Sequence, residues 1–224
     1  MSTNASAQAP QQRPSRPGPA QVSPHDSSSA VAVAFLTTVA IAAIVLLIFG
    51  AGERGTALAL RTTARFAFLL FWPAYAGGAL AKLAGPRFGA LARHARAFGL
   101  AFAAAMSVHV GLVLWRFQIA TEPSDSMVFF WAAILCTWLL AVLSLPQLRD
   151  ALGPRIWRTF RNLTMEYIAV VFAADFILDP LREGGLHAYP LTYLPFSGAL
   201  LAAACLRIAA FARYDGRGNP ARQP

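Results

Sequence analysis

Residues 30–50, AVAVAFLTTVAIAAIVLLIFG, decide the fold class of this chain. They form a stretch of 21 residues without a charge, and a helix needs about 20 apolar residues to cross a bilayer. Over all 224 residues, 57% are apolar and 13% are charged, whereas soluble domains average about 45–50% apolar and about 25% charged residues. The sequence therefore predicts an integral membrane protein rather than a water-soluble one.

Five further apolar segments follow the first one. They are Thr56–Ala81, Ala97–Trp115, Ser126–Leu148, Asn162–Leu178 and Leu191–Ala212. The third and fourth segments carry no charge, whereas the second contains two arginines and the fifth contains Glu166 and Asp175. Each segment is long enough, or nearly so, to cross the membrane. We therefore predict an all-α, integral membrane bundle of six helices over residues 30–212.

Both ends of the chain are polar. Residues 1–29 are rich in Pro, Ala, Ser and Gln and contain no bulky apolar cluster, a composition that cannot offset the entropy of ordering. We expect a disordered cytoplasmic tail there, followed by a membrane anchor that is not cleaved. Residues 213–224 are expected to form a short basic cytoplasmic tail.

The net charge of +9 comes from 18 arginines and one lysine, which lie between the apolar segments rather than in one patch. This pattern indicates membrane topology and argues against nucleic-acid binding. With the N-terminus inside, 14 basic residues fall on the inner side and 5 on the outer side. The positive-inside rule then predicts that both termini are cytoplasmic. The near-absence of lysine suggests a GC-rich bacterial genome, and hence a bacterial inner membrane.

Two histidines belong to the third segment and its inner flank. His94 and His109 are 15 residues apart, which places both rings on broadly one face of a helix, roughly 22 Å apart along its axis. Two stacked histidines on one helix suit two axial haem or metal ligands. The alternatives are that His94 is an interfacial residue in a basic loop and that His109 is a buried histidine bonded to a neighbour.

The second segment carries Arg61 and Arg65, which share a helix face at a spacing of four residues. If the helix begins near Thr56, Arg65 lies roughly 13 Å inside it and needs an anionic partner. Asp175 or a haem propionate could serve as that partner. Alternatively, the helix begins later and both arginines belong to the outer loop, or the charges form structural pairs without chemistry.

Three stretches suggest a known family: GTALALRTTARFAF (residues 55–68), RHARAFGLAFAAAMSVH (93–109) and LPQLRDALGPRIWRTFRNL (145–163). With them, the chain resembles the ferric reductase-like transmembrane domain family, and in particular the haem-binding membrane subunits of bacterial methionine sulfoxide reductase systems. The likeness covers roughly residues 30–212. It implies a ferric reductase-like six-helix fold, haem b between the third and fifth helices, and electron transfer across the membrane.

The resemblance also implies roles for individual residues. Arg96 and His109 match the arginine and the third-helix haem histidine of the family. The fifth helix departs from the family pattern, because Arg161, Ala174 and Asp175 stand where two haem histidines are expected. Bis-histidine ligation between these helices is therefore excluded. A single five-coordinate haem on His109 or an unusual pairing with His187 stays open.

Two functions of different class follow. The first is a transmembrane electron carrier with haem b on His109, with His94 as a further candidate ligand and Arg61 and Arg65 on the haem propionates. The second is a haem-free structural or regulatory membrane subunit. Whether the chain is an enzyme stays open; an active form would be a membrane oxidoreductase. No GxGxxG fingerprint occurs, so no flavin or NAD site is expected, and electrons would come from quinone or a redox partner protein.

Overall fold

The computed structural model describes residues 24–119, 127–182 and 189–215, and every regular element in these ranges is helical. Most of the predicted N-terminal tail, His187 and the end of the C-terminal tail lie outside the described residues. The helices in chain order are α1 (Pro24–Phe49), α2 (Glu53–Ala84), α3 (Gly89–Ile119), α4 (Met127–Leu143), α5 (Pro146–Ala173), α6 (Asp179–Arg182) and α7 (Pro190–Asp215). A 3-10 turn, Pro86–Phe88, precedes α3, and a π-helical turn, Ala174–Leu178, follows α5.

Within the described ranges, four helices are long and apolar enough to cross a membrane: Ser28–Phe49, Glu53–Ala84, Pro86–Ile119 and Pro190–Arg213. Helices α4 and α5 meet at a bend of 106° and meet the same criteria together, which raises the number to five if the pair is one broken span. Large apolar side chains on α1 point outward, among them Leu47, which is 84% exposed. Such a surface suits contact with lipid. The predicted all-helical, multi-pass membrane architecture is thus confirmed at the level of four or five candidate crossings.

The junction between α4 and α5 differs from the prediction. The apolar run Ser126–Leu148 suggested one continuous helix, but α4 ends at Leu143 and α5 begins at Pro146. A residue that precedes proline avoids helical geometry, and Leu145 is extended, with φ −61° and ψ 136°. A second break follows at Gly153 (φ 73°, ψ 161°), directly before Pro154. Because α5 begins at Pro146, it starts well before the predicted Asn162.

Four other helices extend beyond their predicted limits. Helix α2 covers Glu53–Ala84 rather than Thr56–Ala81, and α3 covers Gly89–Ile119 rather than Ala97–Trp115. Helix α1 begins at Pro24 rather than Ala30, which suits the preference for proline in a first helical turn. Helix α7 continues to Asp215, because the polar residues that follow the apolar run can also adopt helical geometry. These extensions change the limits of the segments and leave their order unchanged.

The core centres on α2, which packs against α1, α3 and α7. Five buried aromatic rings, here called the aromatic cluster, join α2 and α3 to α5 and the π-helical turn; they are Phe68, Phe71, Phe102, Phe172 and Phe176. Phe68 and Phe71 each lie 5.2 Å from Phe172, measured between ring centroids. Phe102 of α3 is 6.1 Å from Phe172 of α5. Such ring pairs add about 0.5–1.5 kcal/mol each beyond area burial, so the cluster keeps α3 and α5 facing each other.

The turn between α1 and α2 is closed by backbone contact at Gly55. A Cβ atom at this position would lie 1.9 Å from the Gly50 carbonyl oxygen and 3.0 Å from that of Phe49. Gly50 itself has φ +81°, a value that favours glycine. The Trp115 indole NH of α3 donates to the Ala51 carbonyl at 3.2 Å. The turn therefore positions the start of α2 against the end of α3.

Gly55→Ala is expected to destabilise the protein by about 1–3 kcal/mol, since the added methyl group overlaps backbone that cannot rotate away. Thermal unfolding in detergent, followed by intrinsic fluorescence, measures the effect. Gly78→Ala on the same helix is the matched control, because a Cβ there meets no atom within 4 Å. Equal midpoints for the two variants would contradict the close approach at Gly55.

Candidate functional site

A cavity of about 370 Å³ lies between α2, α3, α4 and α5, and its lining includes His109. The volume is in the usual range for small-molecule and cofactor sites. Most of the wall is apolar, with large rings contributed by Phe102, Phe117, Phe130, Trp131 and Phe172. Four ionisable residues line it as well: Arg61, His109, Arg116 and Asp175. An apolar cavity with a few convergent polar groups is the usual form of a binding site.

His109 is oriented by α2. Its Nδ1 lies 2.9 Å from the Thr63 hydroxyl oxygen. Thr63 is fully buried, and its hydroxyl donates to the backbone carbonyl of Ala59 at 2.9 Å. When the Thr63 proton is donated to Ala59, the Thr63 oxygen can accept a hydrogen bond from Nδ1–H of His109, and we assign the tautomer on this basis. This leaves Nε2 as the nitrogen with a free lone pair, the tautomer that a metal-ligating histidine needs.

Asp175 reaches the cavity from the π-helical turn. The wider turn leaves the Phe176 carbonyl free to accept a hydrogen bond from the Ser197 hydroxyl of α7, at 2.8 Å. Turns of this kind occur often at functional sites. Asp175 thus lines the same cavity as His109, in the part of the chain where the family resemblance leads one to expect a second histidine.

The predicted ion pair between Arg65 and Asp175 is not formed. Arg65 lies instead over two rings of α7, with its guanidinium carbon 5.7 Å from the ring centroids of both Tyr193 and Phe196. An arginine over an aromatic face gains electrostatic stabilisation without a carboxylate. Asp175 still lies within the electrostatic influence of Arg61 and Arg65. Side-chain ion pairs closer than 4.0 Å join Arg149 to Asp150 and Arg207 to Glu166.

The structure does not bring His94 and Arg96 to the cavity. Both are exposed near the start of α3, and Nδ1–H of His94 donates to the Ala90 carbonyl at 2.8 Å. Four helical turns separate His94 from His109, roughly 22 Å. Of the predicted site residues, the cavity therefore unites His109 and Arg61, while Arg65 faces α7. Among the described residues there is no group of three or more His, Cys, Asp or Glu side chains that could hold a metal ion.

Sequence reasoning missed Arg116 as a site residue. It lies near the end of α3, seven residues or roughly two helical turns after His109, and it lines the same cavity. Its position in an outer link made it look like an ordinary topology residue. Together with Arg61, it gives the cavity two guanidinium groups, which pair well with carboxylates or phosphates.

A second polar cluster joins α2, α5 and α7 away from the cavity. One oxygen of Glu166 accepts from Arg207 Nε at 2.8 Å and Nη2 at 2.7 Å, and its other oxygen accepts from the Tyr75 hydroxyl at 2.6 Å. Arg207 also donates to the Tyr75 carbonyl at 3.1 Å and lies 4.4 Å above the Tyr75 ring. We call Tyr75, Glu166 and Arg207 the inner polar cluster. Its groups satisfy one another, which indicates a structural role.

Comparisons with known proteins returned no match: no family model, no curated protein and no solved structure is similar to this chain.

Proposed function

We propose that this chain is a ferric reductase-like membrane protein that binds one haem b through His109 and transfers electrons. The observation that carries the proposal is the cavity between α2 and α5, which unites a tautomer-restricted imidazole with two arginines and aromatic walls. The residues that line this cavity fit haem b. Haem needs an axial nitrogen, flat apolar neighbours and cationic partners for its propionates, and each of these lines the cavity.

The chain's own residues would divide the work as follows. His109 would bind the iron through Nε2, while Thr63 holds the ring in the required tautomer. Arg61 and Arg116 would pair with the propionates, and Phe102 and Phe172 would pack against the macrocycle. Bound haem supplies one-electron chemistry at the iron. The aromatic walls keep water away from that centre.

Asp175 limits the proposal to a single histidine ligand. It lines the cavity on the α5 side, where family members carry histidine, and a carboxylate is not an ordinary axial ligand of haem b. One proximal histidine is sufficient in globins and peroxidases. The proposed haem is therefore five-coordinate with respect to protein ligands. His94, exposed at the other end of α3, takes no part in it.

Topology and partners complete the proposal. In this proposal α4 and α5 each span the bilayer, which gives six crossings and places both termini on the same side. The 14 basic residues on that side, against 5 on the other, make it the cytoplasmic side. We assign the protein to a bacterial inner membrane on composition. Since the chain has no nucleotide fingerprint, its electrons would come from quinone or a redox partner protein.

The direct test is the haem content of the wild-type protein. Full-length chain purified from haem-replete cells is expected to show a Soret band and about one haem b per polypeptide in a pyridine haemochrome assay. A folded, monodisperse and colourless preparation would contradict the proposal and favour the haem-free membrane subunit instead.

A further inference from the structure

A second cavity, of about 530 Å³, opens beside the first turns of α5. It is lined by three arginines, Arg149, Arg158 and Arg161, together with Asp150 and Trp157. The Gly153–Pro154 break forms part of its wall. None of these residues lines the cavity that contains His109, so the two sites are separate.

The charges in this second cavity are not balanced by protein. Asp150 is bound to Arg149, with oxygen–nitrogen distances of 3.1 Å to both Nε and Nη2. Arg158 and Arg161, by contrast, have no carboxylate within 4.0 Å among the residues that the structure describes. Arg161 also lies within the electrostatic influence of Arg158 and Arg207. Positive charges held near one another in a cavity attract an anion.

The surroundings of the cavity suit the membrane surface. The cavity sits just after the 106° bend between α4 and α5. Leu148 and Ile156 beside it are 40% and 62% exposed, so apolar and basic side chains alternate over one short segment. Trp157, half-buried in the cavity wall, is the residue type that concentrates at the level of lipid headgroups. An anion at this level is most readily the phosphate of a phospholipid.

We propose that this cavity binds the phosphate group of an anionic phospholipid headgroup. Arg158 and Arg161 donate charge-assisted hydrogen bonds to the phosphate oxygens. The exposed apolar side chains of Leu148 and Ile156 contact the acyl chains. The lipid thereby occupies the bent junction between α4 and α5. This site does not depend on the haem proposal.

Native mass spectrometry of the full-length protein tests the proposal. The protein is released from detergent micelles that contain equal amounts of phosphatidylglycerol and phosphatidylcholine with identical acyl chains. We expect phosphatidylglycerol to be retained preferentially, and the double variant Arg158→Gln/Arg161→Gln to lower that preference by roughly 30-fold, which is about 5-fold per arginine. The double variant Arg158→Lys/Arg161→Lys should keep most of the preference, since it keeps both charges.

Arg155→Gln is the matched control. Arg155 is exposed on the same segment but does not line the cavity, so its loss should leave lipid selectivity unchanged. An equal drop in Arg155→Gln and the double Gln variant, or equal retention of the two lipids by wild-type protein, would overturn the proposal. Displacement of phosphatidylglycerol by an equal concentration of inorganic phosphate would overturn the lipid assignment and identify a soluble-anion site. Circular dichroism checks that each variant is folded.

Discussion

His109→Ala is expected to abolish the haem absorption that the wild-type protein shows. Changes to residues that merely orient a metal ligand lower affinity by roughly 10–100-fold, so loss of the ligand itself should lower haem affinity by more than about 100-fold. Among the described residues, no other histidine lines the cavity, and His94 is exposed at the opposite end of α3. No other imidazole in the described part of the chain is therefore placed to substitute. Soret absorbance per polypeptide, at matched protein concentration, measures the loss.

Two variants separate ligation from general damage. His94→Ala should retain full haem content, because His94 bonds only to the backbone of its own helix. Thr63→Val removes the acceptor for His109 Nδ1–H while nearly keeping the volume, and should weaken haem binding by roughly 10–100-fold without abolishing it. Haem content that follows His94 rather than His109 would move the site to the other end of α3. Unchanged haem content in both histidine variants would show that the haem ligand is not a histidine of α3.

Much of the fold could be predicted from apolar segment length. The bilayer sets a minimum length for a spanning helix, so the uncharged run 30–50 and the later apolar segments already located every long helix of the structure. The junction at Leu145 was less visible, because Leu143, Leu145 and Leu148 continue the apolar run across it. Pro146 and the Gly153–Pro154 pair were the available signals. The prediction followed the hydropathy of the run rather than these proline and glycine signals, although backbone geometry decides where a helix ends.

The site was only partly predictable, for a different physical reason. Helical periodicity indicates which residues share a face, yet Arg61 lines the cavity while Arg65 lies over rings of α7. It does not indicate which neighbouring helix that face meets. Arg65 could therefore be paired with Asp175 on charge alone, whereas it lies over Tyr193 and Phe196 of α7. The partner of His109, Thr63, lies 46 residues earlier in the chain, and no local pattern singles it out from Thr62.

The inner polar cluster illustrates the same limit. Glu166 and Arg207 were each recognisable as ionisable residues within apolar segments, which is costly unless they are paired. Their pairing depends on how α5 and α7 are rotated about their axes, and a single sequence does not contain that information. Tyr75 looked like an ordinary aromatic residue of α2. The structure shows that its hydroxyl and backbone carbonyl both bond to members of the cluster.

Arg207→Met is expected to destabilise the protein by breaking the inner polar cluster. It leaves the Glu166 carboxyl group without its guanidinium partner, and removal of one member of a fully buried pair costs about 3–5 kcal/mol. The Glu166 side chain is 51% exposed, which lowers the expected cost to about 2–3 kcal/mol. Unfolding of the detergent-solubilised protein by titrated SDS, followed by circular dichroism, measures the change.

The double variant Glu166→Gln/Arg207→Met distinguishes an unpaired charge from lost packing. Because it removes both charges, it should recover at least about 1 kcal/mol relative to Arg207→Met alone, whereas lost packing around the arginine stem would persist in both proteins. Arg149→Met is the matched control for a pair exposed on the surface: both partners are largely exposed, 43% and 69%, and the change should stay within about 0.5 kcal/mol. If the double variant is as unstable as Arg207→Met, Arg207 stabilises the bundle through its contact with the Tyr75 ring rather than through Glu166.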